Sequence, residues 1–172
     1  LSSDMDNTDK VVVLREELRR MQVNLLPPSV NRSDYKFKVL DDKTILFGLG
    51  AIKGVGSAAI ENILVERDEN GEFEDLFDLC RRVDGRKVNK RVFEALIRAG
   101  AIDELGPGRS TLMASLAKAS QLAEQHAENK NAGQNDLFGL HVSSDKSAYD
   151  TVESQFIMSE SWRDHERLMG EK

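Results

Sequence analysis

The 172-residue sequence predicts a mainly α fold with one small β-hairpin or sheet. Three observations carry that prediction. Apolar residues recur at three- and four-residue spacing in several separate stretches, the signature of helices with one buried face. One short region alternates with period two instead, as a strand does. Two glycine-rich connections, at 53–56 and 100–108, separate helical stretches from what precedes them. Apolar content of 40% with 31% charged residues fits a soluble globular chain rather than a disordered one.

The elements follow in order. Asn7 or Thr8 can cap a helix over 9–21, with Val11, Val12, Leu14, Leu18 and Met21 as its apolar positions. Residues 22–26 form a short strand candidate, ended by Pro27-Pro28, which forbid helix and favour extended chain. Tyr35-Lys36-Phe37-Lys38-Val39 alternates, and Thr44-Ile45-Leu46-Phe47 follows after Asp41-Asp42-Lys43, so the pair reads as a hairpin. A helix over 56–67 places Ala59, Ile60, Ile63 and Leu64 on one face, and Asp68-Glu69-Asn70-Gly71 ends it. A short helix covers 75–83. A longer one covers 89–99, capped by Asn89, with Val92, Phe93, Leu96 and Ile97 inward. Another spans 109–128. Residues 130–134 read as a polar loop, 139–155 lack periodicity, and a last amphipathic helix starts near Ser159. No run of about 18 apolar residues reads as a membrane span. The chain begins at Leu1 rather than Met and runs to Lys172 inside a helical pattern, so it reads as a piece of something larger.

Net charge is −6, which argues against a globally electropositive nucleic-acid binder. The distribution matters more. Residues 81–100 hold seven basic and two acidic groups, the basic ones being Arg81, Arg82, Arg86, Lys87, Lys90, Arg91 and Arg98. They follow the first glycine turn closely enough to share a surface with it. Cys80 is the single cysteine, which excludes an internal disulfide and a thiolate zinc site, and it reads as a buried core thiol.

The chemistry concentrates in Gly50-Ala51-Ile52-Lys53-Gly54-Val55-Gly56-Ser57-Ala58-Ala59-Ile60. Two glycines around a valine permit a tight turn. The turn runs into a helix N-terminus, where unpaired N–H groups and the helix dipole favour an anion. A helix-hairpin-helix uses such a turn to hold one DNA strand by its phosphates, without reading bases. Ser57, Ala58 and Ala59 are small enough to let a backbone approach, Ser57 adds a hydroxyl and Lys53 a charge. Main-chain donors are invisible in a charge count, so an acidic chain can bind DNA this way. The bland reading, glycines serving local geometry only, stays open. Arg86, Lys87, Lys90 and Arg91 supply phosphate-binding charge if they share the surface.

No catalytic set emerges. His126, His141 and His165 lack metal-ligand spacing, and Asp4 with Asp6 reads as a solvated helix lead-in. Gly48-Leu49-Gly50 is no dinucleotide fingerprint. Gln134-Asn135-Asp136-Leu137-Phe138 sets two apolar anchors in a polar context, which suits a linear peptide ligand or a fold-back onto the chain's own core.

Four segments carry a resemblance: Asp4-Met5-Asp6-Asn7-Thr8-Asp9-Lys10, Leu26-Pro27-Pro28-Ser29-Val30-Asn31, Phe47-Gly48-Leu49-Gly50-Ala51-Ile52-Lys53-Gly54-Val55-Gly56 and Arg86-Lys87-Val88-Asn89-Lys90-Arg91. In this order they resemble the C-family replicative polymerases, the alpha subunits of bacterial DNA polymerase III. The resemblance implies the end of a fingers domain over 1–45 and a tandem helix-hairpin-helix DNA-binding domain over 46–118. It implies a helix end and a flexible segment with a clamp-binding peptide over 119–158, then the start of a linker helix over 159–172. It further implies sequence-independent binding of primer–template duplex DNA through Lys53, Gly54, Val55, Gly56, Ser57, Arg86, Lys87, Lys90 and Arg91. A monovalent cation held by the carbonyls of Gly50, Ile52 and Val55 is implied too. So is a peptide for the sliding clamp at Gln134, Asp136, Leu137 and Phe138, with Asn135 where many such peptides have Leu. The parent would be a cytoplasmic, membrane-free DNA-directed DNA polymerase assembled with other replicase subunits. Its Mg²⁺ and catalytic carboxylates would lie outside this chain, which itself holds no cofactor. The second connection departs from the pattern, with Gly106-Pro107-Gly108 displaced. Two competing readings are a helix-hairpin-helix scaffold of a repair enzyme and a purely structural adaptor.

Overall fold

A computed structural model describes residues 8–131. Helix boundaries follow local capping chemistry. Asn89 accepts hydrogen bonds from the Arg91 and Val92 amides at 3.0 and 3.2 Å and starts α4, Lys90–Ala99. Asp75 accepts from the Asp78 amide at 2.7 Å and starts α3, Leu76–Arg82. Such caps satisfy amides that lack an acceptor in the first turn. The other helices are α1, Thr8–Arg20; α2, Ser57–Asn70; and α5, Arg109–Asn131. Three strands accompany them: β1, Asn24–Leu26; β2, Lys38–Asp41; and β3, Thr44–Leu46. Among the described residues the fold is therefore mainly α with one small sheet, as the periodicities predict.

The sheet order is β1-β3-β2. The expected hairpin is β2 antiparallel to β3, but β1 lies parallel to β3 on its other side, with Leu25 opposite Ile45. Residues 35–37, expected within a strand, do not pair as one. Their backbone is engaged sideways: the Tyr35 carbonyl accepts the Gly50 amide at 2.9 Å, and the Asp34 carbonyl accepts that of Leu49 at 3.0 Å. The approach is so close that a Cβ on Gly48 would lie 2.5 Å from the Lys36 carbonyl carbon.

Two further expectations are corrected. α2 continues through Asp68 and Glu69 to Asn70, because the left-handed Gly71 (φ 85°) is what closes it. α5 reaches Asn131 and absorbs the start of the expected 130–134 loop. A single 3-10 turn, Leu49–Ala51, leads from β3 into the first glycine turn.

The core joins all the helices from α2 onward. Ile60, Ile63, Leu76, Leu79, Leu96, Ile97, Ile102, Leu105, Leu112 and Leu116 are fully buried. Val30 belongs to the same cluster, brought in from the stretch before the sheet's second strand. Cys80 is buried as expected, and burial together with the nearby Asp75 charge pushes its thiol up to about 12.

Arg82 is a structural fastener. Its guanidinium donates to the carbonyls of Glu66, Gly71 and Glu72 and to the carboxylates of Glu66 and Asp78, all within 2.8–3.1 Å. It also lies 4.4 Å from the Phe73 ring centroid. The group locks the end of α2 to α3, and its side chain is only 14% exposed. Replacing Arg82 by Met removes all five of these hydrogen bonds and the charge that pairs with Glu66 and Asp78. The expected loss is about 2–3 kcal/mol, read as a lower urea midpoint at unchanged m-value.

Candidate nucleic-acid interface

The turn at 52–56 is rooted by its apolar residues and open at its polar ones. Ile52 and Val55 are buried, whereas Lys53, Gly54, Gly56, Ser57 and Ala58 are exposed. The Val55 amide donates to the Ile52 carbonyl at 3.2 Å and closes the turn. That amide, one of the expected phosphate donors, is thus committed internally. The Ile52 carbonyl, one of the three expected cation ligands with Gly50 and Val55, keeps one lone pair beyond it.

α2 then begins with bare donors. Ala59 and Ile60 both donate to the Gly56 carbonyl at 3.1 Å. Among the described residues, no acceptor takes the amides of Gly56, Ser57 or Ala58. A 14-residue helix places its positive dipole end behind them.

The two glycines differ in kind. Gly54 has φ 91°, a conformation that L side chains rarely adopt. Gly56 has φ −77°, and among the described residues a Cβ there would meet nothing within 4 Å. Neither backbone nor packing requires glycine at 56, and Ser, Asp or Asn would be at least as good an N-cap. Glycine there leaves the amide face uncovered. An incoming backbone can approach it closely.

The basic residues do not form one patch. The Cβ position of Gly54 lies 3.7 Å from the Ala95 Cβ of α4. Arg91 and Arg98, four before and three after Ala95, lie on that same helix face and are exposed. With exposed Lys53 they frame the turn. Lys90 lies on a different face, beside a groove of about 510 Å³ that the end of α3, the link after it and the start of α4 form against α5, with Arg81 and Phe93 also lining it. Arg81 pairs with Asp78 at 2.7 Å, and Arg82 is internal. Arg86 pairs with Asp84 at 3.0 Å. The Arg86 hydrogen bonds hold the Asp84 carboxyl below its ordinary range, and Asp84 in turn raises the guanidinium. Lys87 is exposed in the same loop. The expectation of one shared basic surface over 81–98 is therefore corrected: α4 turns by about 100° per residue, so adjacent cations diverge. Arg98 belongs to the expected basic cluster but not to the nine residues expected at the phosphates. Its seven-residue spacing from Arg91 is the signal that places it on the same face.

The second connection is built differently. Gly100 ends α4 in the left-handed region, φ 77°. Arg109 and Asp103 form a bidentate pair, both bonds 2.7 Å, packed over Gly100. Hydrogen bonding to Asp103 raises the Arg109 guanidinium. The Gly108 carbonyl accepts the Leu112 amide at 2.9 Å, and α5 starts there. Asp4, Asp6 and the segment holding Gln134, Asp136, Leu137 and Phe138 lie outside the described residues.

A glycine turn opening a helix, backed by a second helix–turn–helix, defines a class. Residues 22–112 match the helix-hairpin-helix motif family, and the chain belongs to it. Its relatives are more particular. Over all 172 residues it is 47% identical to DNA polymerase III subunit alpha of Vibrio cholerae serotype O1 and 44% identical to that of Escherichia coli K12. Over 154 residues, 81% of the chain, it is 48% identical to the Pseudomonas aeruginosa subunit of the same name. The chain spans 13–14% of the length of these relatives. The similarity to the C-family polymerases inferred from four short segments thus extends along the whole sequence. The family match opens at residue 22, inside the stretch assigned above to a preceding domain.

The glycines are separable by stability. Gly54→Ala forces a Cβ into the left-handed region and is expected to cost about 1–2 kcal/mol. Gly56→Ser is expected to change stability by less than about 1 kcal/mol, in either direction. Thermal unfolding of both variants checks this.

Proposed function

We propose that this chain is a non-catalytic stretch of a bacterial replicative DNA polymerase alpha subunit that grips the backbone of duplex DNA. The observation that carries the reading is the bare amide edge of Gly56, Ser57 and Ala58, framed by Lys53, Arg91 and Arg98. Amides at a helix start suit a phosphate oxygen, and three flanking cations suit its neighbours. Nothing in this arrangement reads a base, so binding is sequence-independent. A monovalent cation on the Gly50, Ile52 and Val55 carbonyls would stiffen the same turn. Template-directed synthesis, with its Mg²⁺, belongs to the rest of the parent in the cytoplasm. There Gln134, Asp136, Leu137 and Phe138 tether the enzyme to its sliding clamp, alongside other replicase subunits. Two adjacent apolar anchors after an acidic residue fit a preformed pocket on such a partner.

With three cations engaged, affinity for a short duplex is expected to fall about 40-fold between 50 and 200 mM salt. Fluorescence anisotropy measures this. Gly56→Ser should weaken binding at least tenfold at low salt, whatever the duplex sequence, while the fold stays intact. Equal affinity for both forms would remove the amide-edge reading.

The tether is tested apart from the grip. Leu137→Ala with Phe138→Ala should abolish clamp binding in titration calorimetry and leave duplex binding unchanged. A clamp isotherm that survives both substitutions would reassign the peptide.

A further inference from the structure

Two helix starts lie at the glycine connections, at Ser57 and at Arg109. They can serve one duplex only if their mutual orientation is held. Residues 29–34 bind the segments that lead into both, 47–49 before the first and 101–104 before the second. On the first side, Arg67 of α2 donates to the Val30 and Ser33 carbonyls at 3.2 and 2.7 Å. Ser33 Oγ donates to the Phe47 carbonyl at 2.8 Å, and the Asp34 carbonyl accepts the Leu49 amide, so the loop also holds the entry to the first turn. On the second side, the Val30 amide donates to the Ala101 carbonyl at 2.8 Å, and Ser29 Oγ donates to Glu104 Oε1 at 2.5 Å, across 75 residues of sequence.

We propose that Ser29 and Glu104 are positioning residues, a strut that sets the second helix start against the first so that both engage the same duplex. The inference rests on the duplex reading above. Ser29 Oγ already accepts the Asn31 and Arg32 amides, which completes its own loop. Its proton is therefore spent on the second turn. Glu104 neighbours Asp103, whose carboxylate holds Arg109, the first residue of α5. The strut thus ends at the α5 N-terminus. That start is polar and unfilled: among the described residues no acceptor takes the Ser110 or Thr111 amides, and Ser110 Oγ is buried without a partner. The strut also draws the Glu104 carboxylate toward Ser29, so that this negative group is held rather than left loose beside a site for phosphate.

The test is hydrogen exchange of the full 172-residue chain with and without a short duplex, together with duplex affinity against salt. In the wild type, duplex should protect the amides at 56–58 and at 110–111. In Ser29→Ala and in Glu104→Ala, protection should persist at 56–58 and vanish at 110–111, with affinity at least fivefold lower. The double variant should be no worse than either single one. Glu104→Gln keeps the acceptor oxygen and should behave as wild type. Simple electrostatics predicts the opposite for Glu104→Ala, since removing a negative charge should tighten binding. Tighter binding, or unchanged protection at 110–111 in the Ala variants, overturns the strut. Wild-type protection at 56–58 alone overturns it while leaving the first interface standing. No protection at either site overturns the duplex reading and the strut with it.

Discussion

Everything downstream of the small sheet depends on how residues 29–34 are seated. Arg67, only 12% exposed, binds two carbonyls of this loop and sits 3.7 Å from Asp34. Asn31 adds a reciprocal pair with the Phe73 backbone, at 2.9 and 3.0 Å. A loop carries backbone polar groups that must be satisfied wherever it meets a core. Here the partners come from α2, from the link into α3, from β3's exit and from the second glycine turn. Satisfying the loop therefore orients all four.

A net charge of −6 does not bar the proposed binding edge for a polyanion. The donors are amides whose exposure is set by geometry, since Ile52 and Val55 anchor the turn from below. Several basic residues nearby pair with local acids: Arg81 with Asp78, Arg86 with Asp84, Arg109 with Asp103. The charges left at the first turn are Lys53 and those that α4 carries past Gly54. Exposed ion pairs contribute little to stability. Their effect here is to limit where positive potential survives.

Much of the fold was legible because its signals are local. Asn89 capping, apolar residues three and four apart, and glycine at helix ends act within one turn of the chain. The Gly-Val-Gly turn was legible for the same reason. The parallel pairing of β1 with β3 was not, because three-residue strands carry too little pattern to choose a neighbour. Nor was the fate of Arg82. A guanidinium that satisfies three backbone carbonyls looks, in sequence, like any other member of a basic run.

By itself the sequence determined the helices, the glycine turn with its opened helix start, and the likeness to a polymerase subunit, since each is written in contiguous residues. Only the tertiary structure decided which cations lie by the turn, that glycine at 56 answers to no neighbour among the described residues, and that Ser29 meets Glu104. Those depend on helix rotation, empty space and contacts between distant segments. Such quantities arise only when the core has packed and fixed each face against its neighbour.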